Sequence, residues 1–216
     1  MTLQAQTLKR RLKQIQGNIP EIHTIRLHRA NSWLQAAEEQ EKQQDLRFIT
    51  LWIACNSLYS INNAAFETKQ ERERFGAFVD TLLELDEETR LYHLLWNKFS
   101  GPVRLLIENK YVYGPFWDYQ RGERTEWEKG FEKSINDASK ALSQRNVNYL
   151  LRIVLDRLYI LRNQLIHGGA TYKSKVNRAQ VRDGSNLLMS VLPIMIDIMM
   201  AHPNHDWGSI YYPPVE

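Results

Sequence analysis

Cysteine is almost absent from this chain of 216 residues, where Cys55 stands alone. That excludes a disulfide framework and any cysteine-based zinc cluster. Cys55 ends the apolar run Leu51-Trp52-Ile53-Ala54-Cys55, which predicts a buried, inert thiol. Glycine and proline are scarce, ten and seven, and residues 21–75 and 131–167 contain neither. Stretches of that length without the two strongest chain breakers favour long helices. Near the C-terminus the longest uncharged run, Gly184 to Ile196, is too short to cross a bilayer and contains Pro193. Met1-Thr2-Leu3-Gln4 shows no charged-then-apolar signal pattern. A soluble, cytoplasmic protein without membrane association is expected. A Walker loop, a nucleotide-binding glycine fingerprint and a serine nucleophile elbow are all missing.

Against these absences stand a core and an uneven charge. Hydrophobic residues make up 43% of the chain and six are Trp, enough to exclude a disordered polar chain. The formal net charge is only +3. Residues 1–30 nevertheless carry six Lys or Arg against Glu21, and residues 146–182 carry seven against Asp156. Residues 183–216 carry four acids and no Lys or Arg. Two basic blocks in a nearly neutral chain suggest a local anionic partner, with solvated helix faces as the alternative.

The apolar spacing is helical throughout. Leu8, Leu12, Ile15 and Ile19 recur at helical intervals, as do Phe75, Phe78, Val79 and Leu82, and then Trp127, Phe131, Ala138 and Leu142. Pro20 and Glu21 suit a first helical turn, and the acids Asp86-Glu87-Glu88 suit another. Thr125 with Glu128 forms a capping-box pattern, and Asn146 can cap a helix that starts at Val147. These signals predict an all-α protein with helices near 2–16, 20–43, 45–67, 70–85, 87–98, 101–108, 126–143, 147–167 and 175–201. Lys110-Tyr111-Val112-Tyr113 is the one short strand candidate. With no linker or repeat in view, residues 1–216 read as a single helical bundle, with a core at about 25–200 and an extended tail at 202–216. An irregular aromatic insert falls at about 109–124.

The densest chemistry lies in Leu158 to Gly169. Leu151, Val154, Leu158, Leu161 and Leu165 step by three and four residues and form a core stripe. Arg152, Asp156, Asn163 and His167 follow another line of the same helix, and Gly168-Gly169 ends it directly after His167. Arg162 and His167 are separated by about 140° around a helix, so they flank a groove, whereas Asn163 and His167 meet on one face. A second copy packed antiparallel would gather Arg and His from both chains around one cleft. Histidine exchanges protons near neutral pH, arginine offers a planar fork for phosphate, and asparagine can orient the imidazole or hold a ribose hydroxyl. Such a set suffices for metal-free RNA cleavage, in which a 2′-hydroxyl attacks its own phosphate. The bland alternative is a histidine capping its helix and an arginine paired at the surface.

Arg162-Asn163-x3-His167 on the late helix of a small helical bundle resembles the signature of the HEPN superfamily, an Arg, a polar neighbour, and a His four to six residues on. The stretch Phe48 to Tyr59 resembles an earlier core helix of bacterial members, and the likeness covers about residues 25–200. The resemblance implies a HEPN-like fold, a homodimer with a composite cleft and, in many members, a metal-independent endoribonuclease acting in toxin, phage-defence or RNA-processing systems. By that carry-over His167 is the general acid/base, Arg162 stabilises the phosphorane and Asn163 orients them. A cognate antitoxin or inhibitor protein is an implied partner. Toxins paired with a nucleotidyltransferase often carry Tyr two residues after the His, and Gly169 stands there instead. The other class of function is a non-catalytic HEPN-like module binding RNA, a nucleotide or a protein.

Arg152, Lys173, Lys175, Arg178 and, from Arg26-Leu27-His28-Arg29, Arg29 are the candidate RNA-binding cations. Lys9-Arg10-Arg11-x-Lys13 is a second basic patch that grips phosphates or simply faces water. Tyr111, Tyr113, Phe116, Trp117 and Tyr119, beside Lys110, Arg121 and Arg124, read as a segment pinned to the bundle or a dimer contact, with base stacking as the alternative. His202, His205 and Asp206 have loosely metal-like spacing but no matching ligand pair. Glu67-x-Lys69 resembles part of a metal-dependent nuclease motif, but it lies in a helical pattern and lacks the upstream Asp, so it is discounted. No metal and no cofactor are expected.

Overall fold

The described parts of the runs free of glycine and proline are mostly helical, yet helices break within them at 40–43 and 144–146, while Gly76, Gly130, Gly184 and Pro193 lie inside helices. The computed structural model describes residues 4–60, 68–175, 177–210 and 212–214. Among these residues the chain forms ten α-helices and no strand, so it is all-α as its periodicity predicts. Its contacts group into two compact units, residues 1–88 with 188–216, and residues 89–187. The first boundary follows the end of α4 (Thr68–Leu85) and the second falls inside α10 (Arg178–Ala201). Neither is a glycine- or proline-rich linker.

The first unit contains α1 (Ala5–Ile15), α2 (Glu21–Glu39), α3 (Gln44–Tyr59), α4, the later part of α10 and the tail. Leu8 and Leu12 of α1, Leu27 and Leu34 of α2, Phe48, Leu51 and Cys55 of α3, and Met195 and Met199 of α10 are buried. Burial pushes the Cys55 thiol up to about 12, which keeps it protonated and inert. The Asn31 amide donates to the Ala5 carbonyl at 3.0 Å, and the Ala5 N–H donates to Glu38 at 2.9 Å. These bonds fasten the start of α1 to α2. Arg11 of the basic N-terminal patch pairs with Asp197 of α10, while Lys9, Arg10 and Lys13 face water.

The tail is tied down by side chains of α2. Arg26 is buried and donates to the carbonyls of Trp207 and Gly208 at 2.6 and 2.7 Å. His23, one turn earlier and also buried, bonds through Nε2 to the Met199 carbonyl at 2.9 Å and stacks on Trp207.

The second unit contains α5 (Arg90–Lys98), α6 (Arg104–Ile107), α7 (Gly114–Gln120), α8 (Glu128–Ser143), α9 (Val147–Ile166) and the first residues of α10. A bend at Phe99–Val103, with Gly101 outside helical dihedrals and Pro102 next to it, joins α5 to α6. Leu91, Leu95, Leu106, Val154, Leu158 and Val181 are among its buried residues.

Four local expectations are corrected. The strand candidate is a 3-10 turn, Lys110–Val112, because Asn109 accepts the Tyr111 N–H at 2.9 Å and starts a turn. The aromatic insert is more regular than expected, since Pro115 enters the first turn of α7 and Phe116 is buried. α5 begins at Arg90 after Thr89 takes a left-handed φ of 50°, which leaves Asp86-Glu87-Glu88 outside the helix. α8 begins at Glu128 with Trp127 at its cap position, not Thr125. Trp127 packs on Phe116 and Phe131, and its N–H donates to Glu128. The expected helix end at 61–67, and Glu67 of Glu67-x-Lys69, lie outside the described residues, as do residues 2–3 of the first expected helix, Val176 at the expected start of the last and residues 211, 215 and 216 of the tail.

α10 is, among the described residues, the helix long and apolar enough to cross a membrane by length and composition. Of its most apolar window, 72% is buried inside the protein. The uncharged run stops at Asp197, the helix continues to Ala201, and the Asp197 carboxylate pairs with Arg11.

Candidate functional site at the end of α9

α9 is held at both ends and along one face. Asn146 caps its start by accepting the Tyr149 N–H at 3.1 Å. Leu151, Val154, Leu158 and Leu161 of the predicted stripe are buried, and Leu165 is half-buried as the helix nears its end. His167 is the C-cap residue, with its N–H on the Asn163 carbonyl at 3.0 Å. Gly168 follows at φ +71°, the left-handed conformation that stops a helix and that a side chain disfavours. The helix therefore ends where its sequence predicts.

The buried stripe leaves the chemistry on the other side. Arg162 Nη1 donates to the Asn163 side-chain oxygen at 2.8 Å, and its guanidinium lies 5.7 Å from the Tyr159 ring. This bond holds the arginine beside Asn163, which shares a face of the helix with His167. Nε of Arg162 has no hydrogen-bond partner among the described residues. His167 is exposed. Its imidazole makes no hydrogen bond among the described residues, so Asn163 holds the guanidinium here and not the imidazole. The motif therefore presents a directed guanidinium and an accessible imidazole at one helix end. One can grip an anion and the other can exchange a proton with it.

The other candidate cations scatter. Lys173, Lys175 and Arg178 follow the motif, in the loop and the first turn of α10. The Lys173 ammonium lies 5.1 Å from the Tyr172 ring, and Arg178 Nε donates to the Ser174 carbonyl at 3.1 Å. Arg152 is exposed on α9, but roughly 16 Å along the helix from Asn163. Arg29 belongs to the other unit, where it donates to the Tyr212 carbonyl at 2.6 Å, so it helps fasten the tail.

Arg157 leaves the basic block altogether. It is buried, with its guanidinium 4.4 Å from the Tyr113 ring and 5.5 Å from Phe131. Nη2 donates to Ser134 at 2.5 Å. Burial lowers its pKa to about 10, against the pull of Tyr113 and Asp156, so it stays charged at neutral pH inside the fold. Part of the formal charge of residues 146–182 thus lies inside the fold.

Spacing does not reveal Gln164. Its amide donates to the Tyr111 carbonyl at 2.5 Å, and Trp117 Nε1 donates to the same oxygen at 2.8 Å. The end of α9 is thereby joined to the aromatic segment. In the other unit, His202 Nδ1 bonds the Ile198 carbonyl and His205 packs edge-on against Trp207. Among the described residues no three His, Cys, Asp or Glu side chains gather as a metal site. Comparison with protein-family models, with curated proteins and with solved structures finds no match for this chain.

Proposed function

We propose that this chain is a metal-independent endoribonuclease of HEPN type, working as a homodimer whose cleft is lined by two copies of the α9 end. The observation that carries the reading is the Arg162–Asn163 hydrogen bond beside an exposed His167, at a helix end terminated by Gly168. In the proposed reaction an RNA 2′-hydroxyl attacks the adjacent phosphorus. One imidazole takes the 2′ proton, and the other, protonated, donates a proton to the departing 5′ oxygen. The products are a 2′,3′-cyclic phosphate and a 5′-hydroxyl. Arg162 faces the phosphorane, where a fixed cation gains most from the developing charge. Asn163 positions Arg162. Lys173, Lys175 and Arg178 supply attraction along the strand and make binding salt-sensitive. A toxin, phage-defence or RNA-processing role, with an inhibitor protein in the first case, comes from the same resemblance.

The free imidazole favours a second reading. A general base is ordinarily oriented by a hydrogen bond, and His167 has none among the described residues. A module that binds RNA, a nucleotide or a protein partner through Arg162 and its neighbours needs no such bond.

Cleavage assays over a broad RNA panel separate the two readings. The nuclease predicts a loss of about 100- to 1,000-fold for Arg162→Ala and about 100- to 10,000-fold for His167→Ala. It also predicts a dimer by light scattering. Salt-sensitive RNA binding without cleavage selects the binding module, and a wild type no faster than either variant rejects the nuclease.

A further inference from the structure

The aromatic segment of the 89–187 unit divides by exposure. Phe116 is buried, with Trp127 packed against it at 5.0 Å between ring centroids, and these rings pin the segment. Tyr111 is 46% exposed and meets Phe116 only edge to face. Its backbone is nevertheless fixed on both sides. The N–H donates to Asn109, and the carbonyl accepts from Trp117 and from Gln164. Gln164 is next in sequence to Asn163 and one turn of α9 before His167, so an exposed ring is anchored to the helix end that carries the motif. Lys110 is exposed too, its ammonium 5.3 Å from the Tyr111 ring and 5.6 Å from Phe116.

An accessible ring on a rigid backbone, beside a cation, matches the two faces of one nucleotide. The ring stacks a base and the ammonium meets its phosphate. A duplex keeps its bases stacked on one another and offers Tyr111 nothing to stack. We propose that Lys110 and Tyr111 form a subsite for an unpaired nucleotide of the strand cut at Arg162 and His167. Gln164 is a positioning residue for this subsite. The inference rests on the nuclease reading.

The test measures binding of a single-stranded RNA oligonucleotide, and of its perfect duplex, to the full chain carrying His167→Ala to prevent cutting. Adding Tyr111→Ala weakens single-strand binding about fivefold to 150-fold and leaves duplex binding unchanged. Tyr111→Phe stays close to the parent, because stacking uses the ring and not the hydroxyl. Lys110→Ala, in a chain checked to be folded because the ammonium also lies over the Tyr111, Phe116 and Trp127 rings, lowers the slope of log affinity against log salt by about one. Unchanged single-strand affinity in a folded Tyr111→Ala chain overturns the subsite while wild-type cleavage stands. Weakened self-association at unchanged RNA affinity assigns Tyr111 to a contact between copies and also overturns it. Tyr111-dependent binding in a protein that never cleaves RNA removes the nuclease reading and keeps the subsite as a binding site.

Discussion

His23 shows how one buried side chain ties stability to pH. Burial lowers its pKa below the ordinary 6.5, and nearby Arg26 lowers it further, against a hydrogen bond to the Met199 carbonyl. The neutral ring donates from Nε2 to that carbonyl, and Nδ1 is left without a partner among the described residues. As pH falls through 6.5 the unfolded chain takes up a proton that the folded chain refuses, so stability drops until the folded pKa is reached. The melting temperature is therefore predicted to fall as the pH drops through 6.5, and less steeply in His23→Gln. Equal slopes in the two proteins would contradict this role. Gly168 makes a separate residue-scale prediction. A Cβ there meets nothing within 4 Å, so only the left-handed backbone resists it. Gly168→Ala should cost about 1 kcal/mol in a urea titration, and an unchanged midpoint would show that the helix ends in some other way.

At the scale of elements, α9 was the most legible part of the chain. Its stripe, its Asn146 cap and its Gly168 stop are local signals, and all three appear where spacing puts them. Leu158 is fully buried in that stripe, so Leu158→Ala is expected to destabilise the protein by about 2–5 kcal/mol. Denaturant unfolding checks this, and a loss below the range would mean that the stripe is not packed as described. Elsewhere tertiary contacts outweighed local signals. The Thr125 capping pattern was legible, but the rings around Trp127 set the start of α8. Arg157 counts as a surface charge in any composition, and only the positions of Tyr113 and Phe131 reveal that it is buried. Gln164 joins a residue 53 positions away, which no periodicity records.

At the scale of the whole molecule, the net charge of +3 conceals where the cations work. Arg11 meets Asp197, Arg26 and Arg29 hold the tail, and Arg157 lies inside the fold. Besides Arg162, the candidate cations that follow the motif in sequence are Lys173, Lys175 and Arg178, so each copy offers fewer than the raw count implies. With Lys110 of the proposed subsite added and two copies lining the cleft, at most about ten cations meet a single strand, so the slope of log affinity against log salt is expected to be no steeper than about −7. A much steeper slope would place the contact surface elsewhere. The central claim concerns chemistry, and the ends of the cleaved RNA report on it most directly. RNA cut by the wild-type protein in excess EDTA is predicted to carry 2′,3′-cyclic phosphate and 5′-hydroxyl ends, and Arg162→Ala and His167→Ala to leave it intact. Cleavage abolished by EDTA, or ends bearing 3′-hydroxyl and 5′-phosphate groups, would contradict the account.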